Sequence, residues 1–328
     1  MTEPQAPIAV AVVSWNTREL LRRCLESLKG EVDARTAEVW VVDNGSTDGS
    51  IELVREAFPW ATLLVPGENL GYGPAVNRVA EQTMNPWIAP ANSDLEFRPG
   101  ALRSLLEAGS RDPGAGAVAP KLLLPDGSVQ ASIQPFPELW SILLKHLRLY
   151  RLSRPLGERL CLSGFWDPDK AQRVDWATGA FLIVRREAYV AVGGFDEGQW
   201  MYAEDLDLCW RLRRAGWATR FEPSAVVHHA LSVAAEQAFG DREARAAKWM
   251  AATYSWMARR RGVPLTWAIA AANLSESGIT FGVSSLLSRY APMRWDPLRR
   301  RARTGLRLHR LGLRSPGALA RPERVQGP

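Results

Sequence analysis

The sequence predicts an α/β protein, with a mostly parallel sheet flanked by helices and amphipathic helices toward the C-terminus. Three observations predict it. Short apolar runs of strand length alternate with helical spacings through the first third of the chain. The runs lead into clusters of Asp, Asn, Gly and Ser, as at the C-terminal strand ends where parallel sheets bind ligands. Beyond Gly127 the pattern gives way to longer helix-like stretches and an Arg-rich end. At 328 residues and 46% hydrophobic, the chain has material for one large core with appendages.

Each element follows in order. Ile8–Val13 is a continuous apolar run, as for a strand buried on both faces. Thr17–Leu28 places Leu20, Leu21, Cys24, Leu25 and Leu28 at helical spacing, with Thr17 suited to the N-cap. Val39–Val42 is the next strand and Ser50–Ala57 the next helix. A strand near Ala61–Val65, a helix near Pro74–Thr83 and a short strand near Trp87–Ala89 complete the repeated β-α-β units. Leu139–Leu152 reads as one amphipathic helix with Lys145, Arg148 and Arg151 on a basic face, and Val174–Val184 resumes strand character. Glu236–Arg260 reads as a long helix, and Pro264–Tyr290 as a more apolar segment broken by Asn273, Glu276 and Gly278. The expected domains are a body over residues 1–232, divided near residue 95, a helical region over 233–290 and a flexible basic tail over 291–328. Within the body, about residues 7–95 form one half and 96–232 the other.

Charge is unevenly distributed. The net charge of +6 combines a slightly acidic body with a tail in which eleven Arg from Arg289 onward face only Asp296 and Glu323. Such a tail points to an anionic surface. Cys24, Cys161 and Cys209 are odd in number and widely spaced, which suits a reducing compartment rather than a disulfide framework. Met1–Pro7 lacks the basic and apolar sections of a secretory signal, and no run reaches about 18 uninterrupted apolar residues. The expected location is therefore cytoplasmic.

Five constellations carry candidate chemistry. Val39–Val42 delivers Asp43 to a sheet edge, where a carboxylate can accept from a base N–H or a ribose hydroxyl; Asp43 and Asp48 also suit turn and cap positions. Gly71 and Gly73 precede a helix, which lets backbone approach a ligand and favours phosphate. A dinucleotide fingerprint needs Gly or Ala where Val76 stands, so a nicotinamide-dependent enzyme is disfavoured. Asn92 and Asp94, two apart at a strand end, can aim oxygen at one hard cation bridging a diphosphate. Asp196, Glu197, Glu204, Asp205 and Asp207 fall within twelve residues beside a Gly-Gly turn. Helix capping accounts for Glu204 and Asp205 equally well, but Asp205 is the candidate for a base that deprotonates a hydroxyl. His228 and His229 are adjacent after an apolar stretch, and one of them can supply a nitrogen ligand.

In their order along the chain these motifs resemble those of glycosyltransferase family 2. They are Val12-Val13-Ser14-Trp15-Asn16, Asp43-Asn44-Gly45-Ser46-Thr47-Asp48-Gly49, Asn69-Leu70-Gly71-Tyr72-Gly73, Asn92-Ser93-Asp94, Gly194-Phe195-Asp196-Glu197 and Glu204-Asp205-Leu206-Asp207-Leu208. The resemblance is to GT-A-fold members of that family, above all the rhamnosyltransferase-like branch, and covers about residues 7–260. It implies a donor-nucleotide site of Ser14, Asn16, Asp43, Asn69, Gly71, Asn92 and Ser93. It further implies a donor and acceptor pocket of Trp176, Thr178, Gly179 and Glu204, with Asp205 as catalytic base. Asp94 matches the last acid of the family's D-x-D and His228 a histidine on the metal or diphosphate, so the implied cofactor is Mg²⁺ or Mn²⁺. Asn92 departs from the pattern by replacing the first acid. The implied reaction is an inverting single displacement from a nucleotide sugar, with dTDP-rhamnose the donor suggested by the branch and a saccharide or lipid-linked saccharide the acceptor.

With that acceptor, the Arg-rich tail and the apolar faces of Leu139–Leu152 and Pro264–Tyr290 suggest peripheral contact with the inner face of an anionic membrane. Nucleic acid is the competing use of Arg, but no recognised fold or aromatic platform accompanies it. A nucleotidyltransferase would lack an N-terminal phosphate-clamping loop and leave Glu204-Asp205 unexplained. A non-catalytic sugar-nucleotide-binding scaffold is the remaining alternative. The oligomeric state is not legible.

Overall fold

The most apolar segments of the chain become the centre of its sheet. The computed structural model describes residues 6–161, 166–199, 201–230 and 242–320. Its strands are β1 (Ile8–Ser14), β2 (Ala37–Asp43), β3 (Thr62–Leu64), β4 (Trp87–Asn92), β5 (Leu95–Phe97) and β6 (Ala115–Leu123). They continue with β7 (Ile133–Gln134), β8 (Gln172–Val174), β9 (Trp176–Ala177), β10 (Ile183–Arg185) and β11 (Ala218–His229). The main sheet runs β3-β2-β1-β4-β10-β6-β11-β5, with β8 also on β11, while β7 and β9 form a separate pair. Pairing is parallel from β3 through β4 and between β6 and β11; β10, β5 and β8 join antiparallel. The fold class is thus the expected mixed α/β architecture.

Alternation along β1 explains why both faces are covered. Ile8, Val10 and Val12 pack with Leu21, Leu25, Leu28, Leu102 and Leu105, whereas Ala11 lies in a second cluster with Val76, Val79, Leu208 and Leu212. The helices of this body are α1 (Arg18–Asp33), α2 (Ser50–Ala57), α3 (Tyr72–Gln82) and α4 (Ala101–Arg111). After α5 (Leu139–His146) and α6 (Arg154–Arg159), they resume with α7 (Arg186–Ala191) and α8 (Glu204–Arg214). Because β1, β2 and β4 are parallel and in register, Ser14, Asp43 and Asn92 finish at one edge. That shared edge is what the fold contributes to the site.

The described residues divide into two compact units. One holds residues up to 136 and from 161 to 230; the other holds 137–160 and 242–320. The helical region expected to begin at 233 therefore also recruits α5 and α6. Several expectations need correcting. The single helix over Leu139–Leu152 ends at His146, because Arg148 takes a left-handed backbone (φ 56°), and a 3₁₀ turn follows. The strand character over Val174–Val184 takes the form of three short strands. Val263–Leu287 is an unbroken 25-residue helix, since Asn273 and Gly278 lower helix propensity without stopping it and Glu276 is a good helix former. The basic tail is helical over Pro292–His309 and Pro316–Ala320 rather than flexible, and residues 321–328 lie outside the described residues. Of the helix read at Glu236–Arg260, the described part is Arg242–Arg261. Among the described residues no helix is long and apolar enough to cross a membrane.

Candidate active site

Two loops at the C-terminal sheet edge are tied together by side chains that the sequence singles out. Asp43 is buried at the end of β2; its Oδ1 accepts from the N–H groups of Gly45 (3.1 Å) and Ser46 (2.8 Å), forming the expected Asx turn. Its Oδ2 is buried without a hydrogen-bond partner, as is Oδ1 of Asn44 beside it. Asn16, at φ 52°, fastens this turn to the end of β1: Ser46 Oγ accepts from its N–H (2.9 Å), and its Oδ1 accepts from Thr47 N–H (2.8 Å). Asn69 Oδ1 accepts from Gly71 N–H (3.0 Å), and Asn44 Nδ2 donates to Gly71 O (3.2 Å), which brings the third loop alongside. Thr17 precedes α1, but its hydroxyl does not cap the helix. It bonds instead to Ser14 Oγ (3.1 Å) and Ser93 Oγ (2.7 Å), joining the ends of β1 and β4.

The acidic block separates into structural and available carboxylates. Asp207 is fully buried and paired with Arg211 (2.6 Å), whose guanidinium also donates to Val192 O and Gly194 O. Asp196 Oδ1 accepts from Gly198 N–H within its own turn. Asn77 of α3 fixes that turn, donating to Phe195 O and accepting from Phe195 N–H and Tyr189 Oη. Glu197 Oε1 accepts from Asn77 Nδ2 (3.4 Å), which leaves Glu204 and Asp205. They open α8 after two consecutive residues in the left-handed region, Tyr202 and Ala203, both at φ 62°. Left-handed backbone at non-glycine residues is unfavourable and persists only where its surroundings enforce it.

Asp205 Oδ2 accepts from Gly179 N–H (2.7 Å) and Oδ1 from Leu206 N–H (2.7 Å). A β-carbon on Gly179 would stand 3.0 Å from Asp205 Cβ, so glycine there permits the approach. Burial raises the pKa of Asp205, and these backbone donors oppose the rise. Glu204 Oε2 has no partner, and burial together with the neighbouring Asp205 pushes the Glu204 carboxyl up to about 8. Tyr72 Oη donates to Gly179 O (2.5 Å); burial, then Glu204, Asp205 and Asp94, push its phenol well above the ordinary value. One phenol thus senses all three acids, which belong to two separate motifs.

The histidine assignment changes by one residue. Successive side chains on a strand point to opposite faces. His228 accepts from Arg98 Nε (3.3 Å), whereas the buried His229 places Nε2 3.3 Å from Asp94 Oδ1. His228 is therefore not the histidine beside Asp94. His229 Nδ1 meets Gln130 Oε1 at 2.8 Å, so the amide oxygen accepts from Nδ1–H and Nε2 is the ring nitrogen turned toward Asp94. Asp94 Oδ1 is buried and takes part in no hydrogen bond. The described residues gather no cage of three or more Asp, Glu, His or Cys side chains. The pair instead fits a cation that draws its other ligands from phosphate and water, as Mg²⁺ does.

The remaining residues of the implied pocket differ in what they offer. Trp176 is buried in β9, and its indole N–H donates to Pro135 O (3.2 Å), so it serves as wall rather than donor. Thr178 N–H donates to Ser132 O (2.8 Å), while the hydroxyls of Thr178 and Ser132 are buried and unpartnered. Asn92 N–H donates to Ala180 O (3.0 Å), which ties the end of β4 to the same segment. Gly73 meets protein rather than ligand: a β-carbon there would lie 2.8 Å from Phe195 Cβ. Sequence reasoning missed Asn44, Tyr72, Gln130 and Ser132 as site residues, and of the two adjacent histidines it assigned His228 rather than His229. Asn44 and Tyr72 sit inside recognised motifs, and His229 shows the alternating burial of β11, but nothing in the sequence marks Gln130 or Ser132.

Comparisons with known proteins show the family and the fold. Residues 9–152 match the description "Glycosyl transferase family 2", and residues 170–299 match "Glycosyl transferase family group 2". The chain is 34% identical over 295 residues to the N-acetylglucosaminyl-diphospho-decaprenol L-rhamnosyltransferase of Mycobacterium tuberculosis, covering 80% of this chain and 89% of that protein. It is 38% identical over 91 residues to rhamnosyltransferase WbbL of Escherichia coli, covering 27% of this chain and 32% of that one. A mannosyltransferase of Pyrobaculum calidifontis, solved with GDP-Man and Mn²⁺, shares the fold at TM-score 0.57 and 18% identity, over 97% of this chain and 87% of that one.

Proposed function

Because the chain belongs to glycosyltransferase family 2, we propose that it transfers L-rhamnose, with inversion, onto an N-acetylglucosaminyl-diphospho-polyprenol acceptor. The donor in this reading is dTDP-rhamnose, and the pathway is assembly of a cell wall or polysaccharide. The observation that carries it is the Glu204–Asp205 pair, held by Gly179 N–H and grouped with Asp94 around Tyr72 at the sheet edge. The sugar and acceptor rest on the relative's name; the chemistry rests on the site.

The residues divide the work by what each has free. Asp43 Oδ2 and Asn44 Oδ1 are unpartnered acceptors suited to the base and ribose of the donor. Asp94 and His229 would hold Mg²⁺ or Mn²⁺, with Gln130 orienting the imidazole. Such an ion supplies stabilisation of the charge that develops on the departing diphosphate. Asp205, whose charged form the Gly179 and Leu206 N–H groups favour against burial, takes the proton of the acceptor hydroxyl as the hydroxyl oxygen bonds the anomeric carbon and the diphosphate departs. Glu204, protonated near neutrality, donates a hydrogen bond to a sugar hydroxyl without adding charge beside the diphosphate. Thr178 and Ser132 offer further hydroxyls to the sugars. A lipid-linked acceptor also gives a reason for peripheral membrane contact.

Nucleotide release from dTDP-, UDP- and GDP-sugars tests this, using an N-acetylglucosaminyl-diphospho-lipid acceptor with Mg²⁺ or Mn²⁺. The expected result is release from dTDP-rhamnose alone, dependent on acceptor, metal, Asp94 and Asp205. Turnover confined to a UDP-hexose would remove the sugar assignment, and absence of any nucleotide binding would remove the catalytic one. A non-catalytic scaffold would be expected to have lost Asp94 or Asp205, and both are present.

A further inference from the structure

The unit formed by residues 137–160 and 242–320 has a surface that the transfer reaction does not use. Among the described residues, fourteen of the seventeen exposed large apolar side chains belong to it. On the helix Val263–Leu287, Ile279, Val283 and Leu286 are exposed at i, i+4, i+7 spacing and so share one face. The turn that follows adds Tyr290 (83% exposed), and the helix Pro292–His309 opens with Met293 (94%). A globular surface seldom leaves so many large apolar groups in water within one short stretch of chain.

The charge that follows this face along the chain is almost all of one sign. From Arg289 to Ala320 there are nine Arg and one acid, Asp296, which already pairs with Arg299 (3.1 Å). Arg289, Arg294, Arg300, Arg301 and Arg303 are exposed, and the Arg294 guanidinium lies over the ring of Trp295, 5.3 Å from its centroid. Ile279 and Val283 also line a cavity of about 1020 Å³ whose walls include Trp295, Leu298, Arg148 and Arg301 together with Glu276 and with Glu243, which pairs with Arg307.

From this we propose that the helical unit docks on an anionic lipid bilayer. Ile279, Val283, Leu286, Tyr290 and Met293 enter the apolar layer, and the arginines of the helix Pro292–His309 pair with headgroups. The charge selects this occupant over the others. A second copy would bring like charge against like, and a nucleic acid would meet the arginines but leave the apolar side chains in water. The contact is a property of this unit alone and does not depend on which sugar is transferred.

Flotation of the full chain with vesicles of phosphatidylcholine, with or without 30% phosphatidylglycerol, tests it without donor or acceptor. Binding is expected to require phosphatidylglycerol and to weaken at high salt. At about fivefold per arginine, the triple variant Arg294→Gln, Arg300→Gln, Arg303→Gln should bind about a hundredfold more weakly. Leu286→Ser with Met293→Ser, both exposed, should reduce binding with an unchanged circular dichroism spectrum and melting temperature. The proposal is overturned by wild-type protein that stays with the lipid-free fraction. It is equally overturned by binding that survives both sets of substitutions, or by a dimer in sedimentation that the serine pair dissolves. Vesicle binding by a protein that transfers no sugar would keep this surface and remove the reaction.

Discussion

Glu204 and Asp205 are neighbours in sequence with opposite hydrogen-bonding fates, and the difference assigns their roles. Asp205 has two backbone donors, whereas one oxygen of Glu204 has none, so the proton near neutrality resides on Glu204. As pH rises through about 8, Glu204 ionises and places a second charge beside Asp205. The rate should therefore fall above pH 8 in the wild type, and Glu204→Gln should lose that alkaline limb while keeping the acid one. Initial rates from pH 5.5 to 9.5 decide this. Stability follows the same proton: a carboxyl whose folded pKa is raised favours the native state below its ordinary pKa and loses that contribution as pH climbs to the folded value. The melting temperature of Glu204→Gln should accordingly gain on the wild type between pH 5 and 9. Asp205→Asn should cost about 10²–10⁴ in kcat with donor affinity little changed, read by single-turnover kinetics beside calorimetry. A third contrast concerns the histidines. His229→Ala should abolish metal-dependent turnover, and Gln130→Ala should raise the metal concentration for half-maximal rate about 10–100-fold. His228→Ala should leave that concentration unchanged, because its imidazole faces Arg98.

At the scale of elements, α8 is fastened to a neighbouring turn through Arg211, whose guanidinium donates to Gly194 O. Gly194 has φ 68°, and a β-carbon there would meet Asn77 Oδ1 at 2.6 Å, the same atom that accepts from Phe195 N–H and Tyr189 Oη. Gly194→Ala combines a left-handed penalty of about 1–2 kcal/mol with overpacking, so a loss of at least about 2 kcal/mol is expected in urea denaturation. The strands and helices of the N-terminal third were legible because their apolar periods are strong: Ser50–Ala57 is a helix as read, and Trp87–Ala89 merely extends to Asn92. Local pattern did not reveal register. Whether His228 or His229 faces Asp94 depends on the pairing of β11 with β5, which places His229 opposite Leu95. Gln130 was invisible for a related reason, since it reaches His229 across 99 residues of sequence. Trp176 shows the converse: the motif drew attention to it, yet Pro135 O uses its one donor.

Over the whole molecule, the chain leaves its catalytic body at residue 137, returns at 161 and builds the second unit from that excursion together with the C-terminal helices. Sequence reading placed the excursion inside the body because chain order suggests it; long-range packing does not follow chain order. The second unit therefore cannot be removed by one cut. In the native unit α5 packs against Val263–Leu287, and the excursion also carries the exposed Trp140, Leu143, Leu147 and Leu152. A fragment ending at 238 keeps this segment but deprives α5 of its helical partner, adding fresh apolar surface to side chains already in water. It should be recovered mostly as aggregate. The same fragment with 137–160 replaced by a Gly/Ser linker should be soluble and monomeric in sedimentation, and should bind donor nucleotide, since Asp43, Asp94, Asp205 and His229 all belong to the remaining body. If both fragments are equally soluble, the excursion is stable without the C-terminal helices, and the division into two units does not describe how the chain folds.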